Sequence, residues 1–554
     1  MHALSIQKSL GRFQRCLKIS SFVAWLCVSS AAPAQSPADP VAKMTVEQKV
    51  GQLMIWTFGG TEFNSQVAEM VRKYQLGSLI VFSRNISTTN QIARFNRDAR
   101  KFSSKNLKAP LFLMIDQEGG AVSRIKLSSP LPSALALGRT EDPKFIEAFA
   151  KTKAEFLLSL GFNMNLAPVL DLSSPETDTF IANRSFGDAP ERVSELAVAY
   201  ARGLHAGGVI PTAKHFPGHG GHVGDSHQGS TKKLATWEEL EKRDLVPFVG
   251  FAQSAFPRAM MMAHLSVPKI DESGVPATYS RILIEEKLRG QLGYDGLVMT
   301  DDLEMDGASI SADIGERAVR AFLAGNDLLM FAGHPKNQKR AFEALVTAVK
   351  EERIPMQRLN QSVSRVLGVK RGGESAKFIP DGAKTKILRA KLEDLSREVM
   401  LKNFRAATEG KTTALHVSPG TPVEIFASDQ RFFKNFRSVF TGTARFTRIS
   451  PAALRDLSTK LQKMTGAALI FYASGTTTAK WLAKLAPDIR ARLIVVNCNN
   501  AGQIENQESY RAVLNLNSAS PESGGWLAVT MTTEPAPAEL REPADVGEPI
   551  PENQ

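Results

Sequence analysis

The sequence predicts an α/β chain in which a (β/α)8, TIM-type barrel is followed by a smaller, sandwich-like α/β domain. Three observations carry this. The 554 residues exceed the ~250–300 at which a single core stops growing. From Gly51 onward, short apolar runs alternate with amphipathic helical stretches, which is the pattern of repeated βα units. After about Lys370 a stretch containing Gly, Lys and Pro separates a second series of the same kind. With 43% hydrophobic and 22% charged residues the composition is that of a globular chain.

The strand-like runs of the first series are Leu53–Trp56, Ser78–Phe82, Leu111–Ile115, Phe162–Leu166, Val209–Ala213, Ala259–Ala263, Gly296–Met299 and Asp327–Phe331. Between the third and fourth, Asp142 and Pro143 start a helix with Phe145, Phe149, Phe156 and Leu160 on one face, and Gly161 ends it. Between the fourth and fifth, Asp188 and Pro190 precede a stripe of Val193, Leu196, Tyr200 and Leu204 that stops at Gly207-Gly208. Eight such units over some 300 residues fit a closed barrel better than an open doubly wound sheet, with the active site at the C-terminal ends of the strands. The polar motifs fall at those ends: "DQEGG" after the third strand, "KHFPGHG" after the fifth and "TDDLEMDG" after the seventh.

The second domain is read from strands at Ala414–Val417, Val423–Ala427, Ala468–Tyr472, Leu493–Asn497, Val513–Leu516 and Leu527–Thr530. Residues 1–34 have the parts of a secretory leader: basic residues with no acid, an apolar centre, and Ala32-Pro33-Ala34 as a cleavage site. Cys27 invites lipid attachment, but bulky Trp25-Leu26 precede it. The expected layout is a leader over 1–34, the barrel over 40–372, a linker over 373–386, the second domain over 387–532 and a disordered tail over 533–554. Loss of the leader leaves Cys498 alone, so no intramolecular disulfide is expected. The formal charge of +12 includes Lys8, Arg12, Arg15 and Lys18 of the leader, and falls to +8 without them. That excess suits anionic polymers such as cell-wall material. No dense basic run with interleaved aromatics points to nucleic acid.

The stretch "AKHFPGHGGHVGDSH" holds four of the nine histidines. His215, His219, His222 and His227 invite a zinc reading, but four ligands on one glycine-rich loop make a poor cage. The first strand also ends in "WTFGG", without a His-x-His pair. The chain is therefore read as metal-free. Asp225-Ser226-His227 reads better as a dyad, in which a carboxylate two residues away fixes the imidazole and raises its pKa. The plain alternative for an Asp-x-His is a capped turn. Gly218, Gly220, Gly221 and Gly224 are read as giving the loop freedom to close over a substrate. On the same rim, Asp301 follows the seventh strand as a candidate nucleophile for retaining glycoside hydrolysis. One of the adjacent acids Asp301 and Asp302 is expected to bind loop backbone instead. Glu304 and Asp306 read as helix-start residues.

"DQEGGAVSRI", "NRSFG", "KHFPGHGGHVGDSH" and "TDDLEMDGA", in this order, resemble glycoside hydrolase family 3, and specifically its β-N-acetylhexosaminidase branch. The resemblance covers about residues 44–372. It implies Asp301 as nucleophile, His227 as general acid/base and Asp225 as its partner. It further implies sugar contacts from Asp116, Arg124, Arg184, Lys214 and His215, types that make strong directional bonds to hydroxyls. His219 is left to stabilise the loop. Two departures stand out: Thr300 where serine is usual, and Gly221-His222 where Asp-Thr is common.

The implied activity is hydrolysis of terminal β-linked N-acetylglucosamine, from peptidoglycan fragments or chitooligosaccharides, through a glycosyl-enzyme and without a cofactor. The implied partner is a saccharide, with neither nucleic acid nor stable membrane association after leader removal. The expected location is outside the bacterial cytoplasm, periplasmic or secreted. Two rivals remain at this stage: a β-glucosidase or β-xylosidase of the same family, and a non-catalytic wall-saccharide-binding protein.

Overall fold

Eight short strands close a barrel: β1 (Met54–Trp56), β2 (Ser78–Val81), β3 (Phe112–Ile115), β4 (Met164–Asn165), β5 (Ile210–Phe216), β6 (Ala259–Met262), β7 (Leu297–Asp302) and β8 (Leu328–Phe331). Around the ring they run β1-β8-β7-β6-β5-β4-β3-β2, and every neighbouring pair is parallel. The computed structural model describes residues 40–173, 181–220, 231–256, 258–373, 382–418, 420–427, 429–449, 454–464, 467–473, 481–498, 506–516, 518 and 523–532. The chain divides into Met1–Lys43 and Met44–Gln554, and the elements described all belong to the second part. The leader and the tail read from the sequence lie outside the described residues.

Each predicted run overlaps one of these strands, and β5 and β7 extend three residues beyond their runs, to Phe216 and Asp302. Successive strand side chains point to opposite faces, so alternate residues fill the barrel. Ile55, Ile80, Phe112, Met114, Met164, Ile210, Met261, Leu297, Met299 and Met330 do so here. On β3 the inward series 112 and 114 continues to Asp116, on β7 the series 297 and 299 continues to Asp301, and on β5 the series from 210 reaches Lys214. The extra residues of β5 and β7 thus carry charge into the barrel mouth while the apolar residues below seal the core.

The helix Pro143–Ser159 starts as expected, with the Asp142 side chain accepting the Phe145 amide at 3.0 Å. The helix Pro190–Ala206 departs in detail. Its cap is Ala189, without a side-chain bond, so Asp188 stands outside it and Pro190 alone presets the first turn.

The second α/β layer is a parallel sheet of β9 (Val423–Ala427), β10 (Ala444–Arg448), β11 (Ala468–Ala473), β12 (Leu493–Asn497) and β13 (Ala512–Asn515), in the order β10-β9-β11-β12-β13. Two predicted strands do not form. Leu527–Thr530 falls in the helix Ser523–Thr532, and Ala414–Val417 is divided between the end of helix Thr412–Leu415 and the irregular backbone after it. A short apolar run cannot by periodicity be told from a buried helix. Here the decision is made by tertiary packing: a Cβ on Gly524 would lie 2.1 Å from the Phe432 carbonyl oxygen, so only glycine allows this approach to the helix Gln430–Val439. The edge strand β10 lacks an apolar run because Arg445 and Arg448 on it are exposed and its other residues are only half-buried.

The predicted linker is helical at both ends, since one helix runs to Gly373 and the next, Gly382–Thr408, begins before its expected boundary. This second helix joins the two layers. Asn403 donates to the Ala136 carbonyl at 2.9 Å on the barrel side, and the Phe404 ring lies 5.6 Å from that of Trp526 on the other.

Candidate active site

Five charged side chains form a chain of alternating sign across the barrel mouth: Arg124, Asp116, Lys214, Glu118 and Arg184. Arg124 lies 3.2 Å from Asp116, and the Lys214 ammonium lies 2.9 Å from Asp116 and 2.7 Å from Glu118. Arg184 then grips both Glu118 oxygens, at 2.9 and 2.8 Å. The network brings together four of the predicted sugar contacts and adds Glu118, which belongs to the "DQEGG" motif but was passed over beside Asp116. Lys214 is buried. Burial alone would lower its pKa, but Asp116 and Glu118 outweigh that and raise it, so the ammonium persists. Burial likewise pushes Glu118 up, yet Arg184 and Lys214 hold it well below the ordinary carboxylate range. Glu118 therefore stays charged, and both cations are fixed in direction.

The fifth predicted contact, His215, follows Lys214 across a cis peptide. Its Nδ1 lies 2.6 Å from Asp171, and the same buried carboxylate accepts the His215 amide at 3.2 Å and the His219 amide at 2.7 Å. Asp171 thereby sets the ring of His215 and the path of the chain after it. The His219 ring meets His215 edge-on, with centroids 5.3 Å apart. Against the opposing effect of burial, His215 and His219 hold the Asp171 pKa low.

Asp301 and Asp302 divide at the end of β7. Asp301 is half-buried in the mouth, and its Oδ1 accepts the Asp302 amide at 2.8 Å. Burial would raise its pKa, but His264, His215 and Lys214 bring it below the usual value. Asp302 instead accepts the amides of Glu304 and Ala332, each at 3.1 Å, the backbone task expected of one member of the pair. Burial pushes its pKa up to about 7. His264, just past β6, bridges the Thr278 hydroxyl at 2.8 Å and the Asp302 carbonyl at 3.0 Å. Glu304 accepts the amides of Gly333 at 2.7 Å and His334 at 3.0 Å, immediately before the helix Pro335–Lys350.

Asp225 and His227, the predicted proton-donating pair, lie outside the described residues, as do His222, Gly221 and Gly224. Among the described residues no group of three or more His, Cys, Asp or Glu side chains is arranged to hold a metal ion. Gly218 and Gly220 need a different explanation from loop freedom. A Cβ on Gly220 would lie 2.8 Å from the Leu172 carbonyl oxygen, and one on Gly218, at φ +109°, would lie 3.2 Å from Asp244 Cβ. They are small because the chain is packed tightly there.

A carboxylate kept ionised opposite a set of fixed cations suits attack on a polar, hydroxyl-bearing substrate. Comparison with known proteins agrees. A β-hexosaminidase of Tolumonas auensis is 35% identical over 284 residues, 51% of this chain and 82% of that one. A β-hexosaminidase of Pseudomonas aeruginosa is 34% identical over 297 residues, 53% of this chain and 86% of that one. The solved family 3 β-N-acetylglucosaminidase of a Paenibacillus species superposes with a TM-score of 0.76 at 26% identity, covering 88% of this chain and 97% of that one. Residues 45–369 match the model of the glycosyl hydrolase family 3 N terminal domain, and the chain belongs to that family.

Proposed function

We propose that the chain is a retaining β-N-acetylhexosaminidase that removes terminal β-linked N-acetylglucosamine through a glycosyl-enzyme. The observation that carries this reading is Asp301, a carboxylate held ionised in the barrel mouth by His264, His215 and Lys214. The names borne by the two bacterial relatives and by the Paenibacillus structure support the substrate class. In the first half-reaction an Asp301 oxygen attacks the anomeric carbon, the glycosidic C–O bond breaks, and the departing oxygen takes a proton from His227. In the second, His227 takes a proton from water, whose oxygen bonds to the anomeric carbon as the ester to Asp301 breaks. Asp225 orients and charges His227. Asp116, Arg124, Arg184, Lys214 and His215 bind the sugar.

The leader over 1–34 supports an exported enzyme, periplasmic or secreted, acting on peptidoglycan fragments or chitooligosaccharides. A chromogenic β-N-acetylglucosaminide and the matching β-glucoside, offered to purified protein, test the activity. Release from the first is expected. Release from the glucoside alone makes the chain a β-glucosidase, and release from neither makes it a saccharide-binding protein. Mass spectrometry of products from defined muropeptides and chitooligosaccharides then separates the two natural sources. Prolonged treatment with a strong chelator is expected to leave the rate unchanged.

A further inference from the structure

Residues 128–138 lie between the second α/β layer and the charged network of the barrel mouth. From the second layer and the helix Gly382–Thr408, Glu393 accepts the Ser128 amide at 2.9 Å and Arg431 donates to the Ser128 carbonyl at 3.1 Å. Ser518, just past β13, accepts the Ser133 amide at 3.2 Å, and Asn403 donates to the Ala136 carbonyl at 2.9 Å. Ser518 and Asn403 are buried, so water does not compete for these two bonds.

On its other side the same segment supports the backbone of the network. Gly120, two residues after Glu118, donates its amide to the Leu131 carbonyl at 2.9 Å. A Cβ on Gly119, at φ +124°, would lie 2.0 Å from the Pro132 carbonyl oxygen. The short helix Ala134–Gly138 rests as closely on the stretch after Arg184, since a Cβ on Gly138 would lie 2.0 Å from the Phe186 carbonyl oxygen. Backbone thus meets backbone with no side chain between to absorb a shift. Asn183, the neighbour of Arg184, is tied to the second layer directly, donating to the Cys498 carbonyl at 3.3 Å.

We infer that Ser518 and Asn403 are positioning residues for sugar binding, through which the second α/β layer braces residues 128–138 and so sets the backbones under Glu118 and Arg184. The two-pronged bond between those side chains requires both backbones in register, and Glu118 passes the same alignment to Lys214. The inference rests on the assignment of Arg184 and Lys214 as sugar contacts. A contribution of the contact to stability alone is the competing account.

The split between KM and kcat separates the two. A misaligned network weakens the hold on the sugar in the ground state and transition state alike, which raises KM and leaves kcat in place. Ser518→Ala and Asn403→Leu are each expected to raise KM for a chromogenic β-N-acetylglucosaminide about 10-fold, the worth of one hydrogen bond, with kcat nearly unchanged. If Asn403→Leu does not fold, Ser518→Ala, which removes a single hydroxyl, decides alone. Val495→Ala is the control: its side chain lies in a core formed by second-layer residues only, so it lowers the melting temperature without altering the contacts to 128–138 and is expected to keep the wild-type KM. An unchanged KM in the brace variants, or an equal rise in Val495→Ala, overturns the brace. Glu118→Gln is the reference for the site itself. If it raises KM and the brace variants do not, the brace fails while the sugar site stands; if Glu118→Gln leaves KM unchanged, the assignment of the network to the sugar fails, and the brace fails with it.

Discussion

Asp301 Oδ1 accepts the amide of Asp302 at 2.8 Å, so the backbone of one acid orients the carboxylate of the other. Asp302 Oδ1 is in turn fixed by the amides of Glu304 and Ala332. The two carboxylates thus differ in what they can do, although they adjoin in sequence. Asp301→Asn is expected to lower kcat by roughly 10³ or more while leaving the fold intact. Asp302→Asn retains an oxygen that accepts both amides, and is expected to keep most of the activity. Its stability should respond to pH. Because burial raises the folded pKa of Asp302 to about 7 from 3.8, the wild type loses stability from this group as pH rises through that window. The melting temperature of Asp302→Asn relative to wild type should therefore climb between about pH 4 and 7. A flat difference contradicts the buried, disfavoured charge.

Glu118 joins Arg184 to Lys214, and all three side chains are largely shielded from water. Glu118→Gln leaves Arg184 without its carboxylate and Lys214 with Asp116 alone. Removal of one partner from such a buried network is expected to destabilise by about 3 kcal/mol and to raise KM as Arg184 loses its fixed direction. Thermal unfolding and steady-state kinetics check both. A variant with unchanged KM argues that Arg184 does not touch the sugar.

The eight strands were legible because buried parallel strands are short apolar runs punctuated by helix caps and glycines. Four members of the charged mouth were legible through the resemblance that their motifs carry, while Glu118 was passed over beside Asp116. Asp171 was not. It follows β4 as a single acid in "PVLDLSS", and its partner His215 lies 44 residues away, so no local pattern marks it. His264 is likewise unmarked, since its role depends on Thr278 and on the backbone of β7. Gly218 and Gly220 carried the right residue type but the wrong reason, because loop freedom and tight packing both select glycine. In the second domain the error ran the other way. The apolar run at Leu527 satisfies a strand pattern, and only its contact with a neighbouring helix makes it helical.

Asp171→Asn tests the carboxylate that sets His215. The amide offers one accepting oxygen in place of two, so its NH2 group turns a donor toward either the His215 ring or the His219 amide, and one of these two anchors is lost. A fall in kcat/KM of about 10- to 100-fold is expected. The native pKa of Asp171 lies below its unfolded value of 3.8, burial notwithstanding, because His215 and His219 favour the anion. Its contribution to stability is therefore present above about pH 4 and is lost on acidification below it. Asp171→Asn should flatten the acid limb of the stability curve, as followed by circular dichroism. An unaltered acid limb assigns the loss of stability to other carboxylates.

Lys153 lies behind the network, fully buried, donating to the Glu118 carbonyl at 2.7 Å and to the Tyr200 hydroxyl at 2.8 Å. Burial lowers its pKa to about 7 from 10.5, with the Glu118 charge resisting the shift. Between these two values the unfolded chain holds the proton and the folded chain does not, so folding is favoured as pH rises. Below about pH 7 both states are charged and the full cost of burying the ammonium applies; above it that cost falls by up to about 1.4 kcal/mol per pH unit. The neutral amine keeps a proton for each of its two acceptors. Lys153→Met removes the titration while filling similar volume. The stability of the wild type relative to this variant should therefore increase from about pH 7 to pH 10, measured by urea unfolding at each pH. Lysines and tyrosines that do not touch Lys153 titrate equally in both proteins and cancel in the difference, and Tyr200, whose pKa burial raises, stays protonated over this range. A difference independent of pH means that Lys153 remains charged behind Glu118 throughout, and that the carbonyl of Glu118 is held by an ammonium ion instead of an amine.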